Sequence, residues 1–202
     1  MLILASTSPR RKAILESLGL EFEIAVPEGL DESLLLGGGL VARTEIQSEE
    51  KLVERVERLA SLKAYSVANL NPARLVLGAD TIVAIDSVVL GKPSDADAAF
   101  EMLRMLSGRT HFVYTSLALV NIAEGLEITA TEKTAVTFNS LSESRIRKYV
   151  EIDAPYDKAG GYAIQGIGSL LVRRISGCYW NVVGLPVGLL DRMLLQVGIN
   201  LL

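Results

Sequence analysis

An acid interrupts the apolar stretch 74–93, RLVLGADTIVAIDSVVLGKP. Leu75-Val76-Leu77 lead into Gly78-Ala79, and Thr81-Ile82-Val83 follow Asp80, a pattern that predicts strand on both sides of a carboxylate. Burying an unpaired carboxylate is costly, so Asp80 should be paired, metal-bound, or placed where a strand opens into a cleft. Thr81 adds a hydroxyl, Gly78 lets backbone and ligand come close, and Gly91-Lys92-Pro93 sets a lysine in a turn within reach of the same place. A plainer reading also fits: a hairpin with one solvent-facing acid and one solvent-facing lysine.

A second set lies near the start, Ser6-Thr7-Ser8-Pro9-Arg10-Arg11-Lys12. Ser8 as N-cap and Pro9 at the first helical position predict a helix, with Ile14, Leu15 and Leu18 at helical spacing and Gly19 as the stop. Three cations in a first turn oppose the helix macrodipole. They make sense if an anion sits there, where free N–H groups, the hydroxyls of Ser6 and Ser8 and the guanidinium forks of Arg10 and Arg11 converge on phosphate oxygens. Three solvated cations are the alternative.

The third set is 157–168, DKAGGYAIQGIG, in the glycine-rich part of the chain. Seven of the 17 glycines fall between Gly160 and Gly188, dense enough to suggest backbone folded tightly round a ligand, with Lys158 and the Gln165 amide beside it. Glycine bulges in twisted strands would give the same density. Neither a GxxxxGK[ST] loop nor a GxGxxG turn between strand and helix occurs, so P-loop and Rossmann readings fail.

The elements that must position these sets follow from pattern. Strands are predicted at 2–5, 22–26, 112–120, 127–138 and 169–175, and helices at 48–67, 94–106, 142–151 and 186–197. In the helix at 48–67 the stripe Leu52, Val56, Leu59 continues to Lys63, which from this helix alone reads as a snorkelling edge residue. Ser94 reads as the cap of the next helix, and His111 as a structural residue at a strand edge. Residues 34–39, LLLGGG, read as a mobile loop with exposed leucines.

Composition bounds the rest. A chain of 202 residues fits a single domain spanning 1–202. Half its residues are hydrophobic and its mean hydropathy is +0.34, yet charges break every apolar run short of a membrane span. The N-terminal MLILA lacks a signal-peptide pattern, so a soluble cytoplasmic protein is expected. One Cys and one His exclude a Cys/His zinc site, so a metal would be held by oxygens, as Mg²⁺ or Mn²⁺. A net charge of −4 without a basic run argues against nucleic-acid binding and leaves a small phosphorylated ligand open.

LASTSPRRKAILESLG at 4–19, GADTIV at 78–83, GKP at 91–93, LSGRT at 106–110, DKAGGYAIQG at 157–166 and VVGLP at 182–186 together closely resemble the Maf family of nucleoside triphosphate pyrophosphatases, relatives of the inosine triphosphate pyrophosphatases. The resemblance spans nearly the whole chain. It implies an elongated α/β fold with a twisted mixed sheet, flanking helices and two lobes around a central cleft. It also implies hydrolysis of a nucleoside triphosphate to monophosphate and pyrophosphate with a divalent cation, and by family habit a homodimer. Carried onto matching positions, Asp80 is similar to the catalytic acid-base residue and a metal ligand, with Glu32 as second metal carboxylate. Arg10 and Arg11 are similar to phosphate binders, and Lys63 and Lys92 to the remaining basic wall. The DKAGGYAIQG form resembles the branch acting on dTTP and UTP, where Arg11, Thr81 and Gln165 match positions tied to substrate choice. One departure is a longer spacing between Asp31-Glu32 and Lys63, which leaves Glu45 or Glu49 as alternatives to Glu32. A second function class stays open: a nucleotide-binding regulator of cell division and septum formation that acts through a protein partner, favoured only by LLLGGG.

Overall fold

The computed structural model describes residues 1–27 and 48–202 in full and 43–45 by their backbone. Glu32 and the LLLGGG segment lie outside the described residues.

The chain is mixed α/β, as the sequence predicts, with eight strands in one sheet among the described residues. β1 (Leu2–Ala5) runs parallel to both its neighbours, β2 (Phe22–Ala25) and the first half of β4 (Leu75–Ile85). On its other side β4 pairs antiparallel with β6 (Thr110–Asn121), which pairs with β7 (Leu126–Phe138), which pairs with β8 (Val172–Ser176). β5 (Val88–Leu90) folds back on the end of β4 after a turn at Asp86, and β3 (Arg43–Glu45) pairs with β5.

Register leaves a break along one edge of β4. β1 pairs with it as far as Gly78, and β5 begins only at Val83. Ala79, Asp80, Thr81 and Ile82 therefore have a strand neighbour on the β6 side alone, among the described residues. Successive side chains on a strand point to opposite faces, so Asp80 and Thr81 open the break onto different sides of the sheet.

Helices cover both faces. Against one face lies α2 (Glu49–Ala68), whose Leu52, Val56, Ala60 and Ala64 pack on Val76, Ile82 and Ala84 of β4 and on Tyr114 and Ala118 of β6. The opposite face carries two separate cores. Leu77 and Ala79 pack with α1 (Pro9–Ser17) and α6 (Val187–Gln196), whereas Val83 and Ile85 pack with α3 (Ala96–Leu106) and α4 (Glu143–Asp153). These cores meet at the middle of β4, where the edge is broken, which gives the molecule its two lobes. A short helix, α5 (Tyr179–Val183), follows β8.

Several local expectations need correction. Asp95 and not Ser94 caps α3, because its carboxylate accepts from the Ala98 N–H at 2.8 Å while Ser94 Oγ donates to that same carboxylate. The strand expected at 169–175 starts only at Val172, since 3₁₀ turns occupy Gly166–Leu171. Glycine bulges in strands do not describe 157–168 either, which is 3₁₀ and irregular backbone with positive φ at Gly160, Gly161 and Gly166. His111 lies inside β6 and is fully buried. Among the described residues, no helix is long and apolar enough to cross a membrane.

Candidate active site

On the α2 face, Asp80 accepts a hydrogen bond from Lys63 Nζ at 2.6 Å, and both residues are buried, 8% and 9% exposed. Asp80 is thus neither at a strand end nor facing solvent: it sits mid-strand beside the break. The snorkelling reading of Lys63 fails for the same reason, since its ammonium turns inward to a carboxylate 17 residues away. Gly78 makes this contact possible. It lies two residues from Asp80 on the same face, and a Cβ there would stand 2.1 Å from the Ala60 carbonyl oxygen and 2.9 Å from Ala64 Cβ. Only glycine lets α2 come down onto β4 closely enough for Lys63, between Ala60 and Ala64, to reach the acid.

On the other face Arg11 enters from the first turn of α1. Ser8 caps that turn, its hydroxyl oxygen accepting from the Arg11 N–H at 3.5 Å. The guanidinium spreads over four acceptors: Nε donates to the Gly184 carbonyl at 2.9 Å, Nη1 to the Ala79 carbonyl at 2.8 Å and Ser6 Oγ at 3.2 Å, and Nη2 to Thr81 Oγ1 at 3.1 Å. Arg11 therefore stands in for a missing strand at the broken edge, taking the Ala79 carbonyl that β1 leaves behind. Ser6 Oγ also accepts from the Ser8 N–H at 3.2 Å. With both lone pairs occupied, the Ser6 hydroxyl has its proton left to give, which suits an anion.

The glycine-rich loop packs beside the second half of β4. The Gly160 N–H donates to the Gly91 carbonyl at 2.9 Å, joining this loop to the Gly91-Lys92-Pro93 turn, whose lysine is exposed. Gly160 needs its positive φ of 69°, and a Cβ would crowd Val83 at 3.0 Å. Tyr149 of α4 holds the loop from behind, its hydroxyl accepting from the Ala163 N–H at 3.1 Å and donating to Asp153 at 2.8 Å. Lys158 bridges Asp153 at 3.4 Å and Asp157 at 2.7 Å, and Asp157 reaches Arg10 at 3.6 Å. Gln165 is exposed, and its side chain makes no hydrogen bond among the described residues.

The fold thus pairs Lys63 with Asp80, and Ser6 with Arg11 and Thr81, on opposite faces of one break, and ties Arg10 to the loop carrying Lys158 and Gln165. Glu49, an alternative to Glu32, is engaged elsewhere: its Oε1 holds Lys133 Nζ at 2.6 Å and the Tyr114 hydroxyl at 3.1 Å. Among the described residues that leaves one carboxylate, Asp80, at the break, and no three His, Cys, Asp or Glu side chains cluster there or elsewhere.

Sequence reasoning missed Tyr149, Thr115 and Asn181. Thr115 pairs with Thr81 across the β4–β6 ladder, and its hydroxyl oxygen lies 2.9 Å from Thr81 Oγ1 and 3.0 Å from the Asn181 carbonyl oxygen. The alternation of β6 could have put Thr115 beside Thr81 once pairing was known; nothing local marks Asn181.

A mixed α/β protein whose central strand has a broken edge, flanked by a buried lysine–carboxylate pair on one face and an arginine fork on the other, is the class that the fold and these residues define. A family model described as Maf-like protein matches residues 1–197, and the chain belongs to that family. It is 43% identical over 205 residues to a dTTP/UTP pyrophosphatase of Caldicellulosiruptor bescii, covering all of this chain and 96% of that protein. Proteins of the same name from Bacillus cereus and Symbiobacterium thermophilum are each 47% identical, covering 98% of this chain and 96% and 94% of theirs. A solved structure, the Staphylococcus aureus Ham1 protein, is similar at 12% identity and a TM-score of 0.40, over 68% of this chain and 71% of that one.

Proposed function

We propose that this protein cleaves dTTP and UTP between the α- and β-phosphorus, adding water to give the nucleoside monophosphate and pyrophosphate. The observation that carries this reading is identity spread along the whole chain: relatives 43–47% identical over 98–100% of it are named for that activity. The geometry supports it. The triphosphate would lie along the break, with the Ser6 hydroxyl, Arg10, Lys92 and Lys158 placed to meet its negative charge as it moves onto the leaving pyrophosphate. Asp80 would orient and deprotonate the attacking water, with Lys63 fixing the carboxylate.

Asp80, the one buried carboxylate among the described residues, fits Mg²⁺ or Mn²⁺, which are ordinarily held by one or two carboxylates together with substrate phosphates and water. Asp80 would hold the ion, joined by Glu32 as the resemblance implies. Such an ion, when bound, polarises phosphoryl oxygens and neutralises charge. The exposed amide of Gln165 both donates and accepts, and so can pair with the carbonyl and N–H edge that thymine and uracil share.

The test is pyrophosphate release from purified protein with Mg²⁺ and a panel of dTTP, UTP, dCTP, dATP and dGTP. The first two should lead, with Gln165→Ala flattening the preference more than it lowers the best rate. A wild-type preference for a purine triphosphate would overturn the reading.

A further inference from the structure

The hydroxyl protons around Arg11 have one consistent arrangement. Thr115 Oγ1 lies 3.0 Å from the Asn181 carbonyl oxygen, which can only accept. Two oxygens that close repel unless a hydrogen lies between them, so the single Thr115 proton points at Asn181. In the 2.9 Å contact between the two threonine hydroxyls, Thr81 must then be the donor. Thr81 also accepts from Arg11 Nη2 at 3.1 Å. Its proton is spent and one lone pair is taken, which leaves a second lone pair on a hydroxyl that is partly exposed at the break.

From this directed chain we infer that Thr115, anchored on Asn181, is a specificity-positioning residue: it makes Thr81 an acceptor only, and so a reader of an N–H on the ligand. The inference rests on the proposed base preference and supplies a physical cause for it, with N3–H given to Thr81 and the Gln165 amide N–H to a flanking base carbonyl. Thymine and uracil carry a proton on N3, whereas cytosine presents a bare N3 lone pair. A hydroxyl held acceptor-only welcomes the first and repels the second. Asn181 is a stiff anchor, since its Nδ2 donates to the Val113 carbonyl at 3.0 Å and to Thr134 Oγ1 at 2.9 Å. Its carbonyl also receives the Gly184 N–H at 3.0 Å, in the residue whose own carbonyl receives Arg11. The arginine and both threonines therefore keep one register.

The experiment compares wild type, Thr81→Val, Thr115→Val, Thr115→Ala and Thr115→Ser for kcat and KM on dTTP and dCTP with Mg²⁺, with folding followed by thermal melting. Valine keeps the shape of Thr115 but frees the Thr81 proton to meet the cytosine N3. The ratio of kcat/KM for dCTP over dTTP should rise about tenfold, the scale of one buried hydrogen bond corrected or broken, mainly through a lower KM for dCTP. Thr115→Ser keeps the hydroxyl and should keep the wild-type ratio; Thr115→Ala replaces Thr115→Val if valine does not fold. Activity falling on both nucleotides in proportion would mean that Thr115 is only structural and would overturn the inference. An unchanged ratio in Thr81→Val would show that Thr81 does not face the base, which also overturns it while leaving the pyrophosphatase reading intact. That reading stands or falls with the nucleotide panel.

Discussion

The two faces of the β4–β6 ladder solve the problem of a buried polar site in different ways. On the α2 face full charges meet in pairs: Lys63 with Asp80, and Lys133 with Glu49, whose carboxyl the Lys133 bond holds below the usual range. On the opposite face one cation, Arg11, is spread over neutral acceptors, and behind it stand Thr81, Thr115 and Asn181. A charge pair acts through distance and has little direction. A chain of hydroxyls and carbonyls acts through direction, since each proton can point only one way. The first face handles charge and the second holds orientation, and the proposed ligand would meet both at the broken edge of β4.

The largest expected effect is on the charged face. Asp80→Asn preserves volume and should lower kcat by about 10²-fold or more if Asp80 activates water. It also takes a charged partner from Lys63, so unfolding free energy should fall by about 1.5–3 kcal/mol, the scale of a hydrogen bond between charged groups. Denaturant titration beside steady-state kinetics reads both, and a mutant with wild-type turnover at saturating Mg²⁺ would remove Asp80 from the chemistry.

On the directional face the corresponding probe keeps charge and removes geometry. Arg11→Lys cannot reach Gly184, Ala79, Ser6 and Thr81 together, so kcat/KM should drop about tenfold, several hydrogen bonds being lost against an unchanged charge. Full activity in the lysine variant would mean that charge alone matters on both faces, and the contrast between them would collapse.

The smallest effect concerns pH. Burial drives the His111 pKa down to about 3 from an ordinary 6.5, while its Nε2 lies 2.7 Å from the Tyr162 hydroxyl. Because the folded value is depressed, the unfolded chain takes up a proton below pH 6.5 that the folded chain refuses. Stability should fall as pH drops from about 6.5 toward 3, approaching about 1.4 kcal/mol per pH unit from this group once the unfolded imidazole is charged. Urea titrations of wild type and His111→Phe between pH 7 and 5 isolate the contribution of this imidazole. Equal slopes would show that His111 is not neutral and buried.

How much of this was readable beforehand depends on the range of the interaction. Ser8 and Pro9 started α1 as local capping rules require, and the stripe Leu52, Val56, Leu59 faced the core. Asp80 was legible as an anomaly because its cost is set by its immediate neighbours. Its partner was not. Read on its own helix, Lys63 looks like an edge residue, and the reason it turns inward is a strand register 17 residues away. The loop at 157–166 showed unusual backbone through its glycines, but 3₁₀ turns and bulged strands share that composition. Asn181 was invisible for a harder reason: one amide in an apolar segment gains meaning only from Val113 and Thr134, which arrive on other strands.

Gly78 has a consequence for how this site can change over generations. It contributes no atom to the chemistry, yet a single methyl group there would collide with α2 before anything reached the ligand. Positions 60, 64 and 78 are consequently coupled sterically, and enlarging residue 78 should lift the helix that carries Lys63. A library seeking a longer or shorter reach between lysine and acid would find few tolerated changes at the two charged residues themselves. It would find them by varying this small-residue spacer as a set, which turns an inert contact into the adjustment screw of the site.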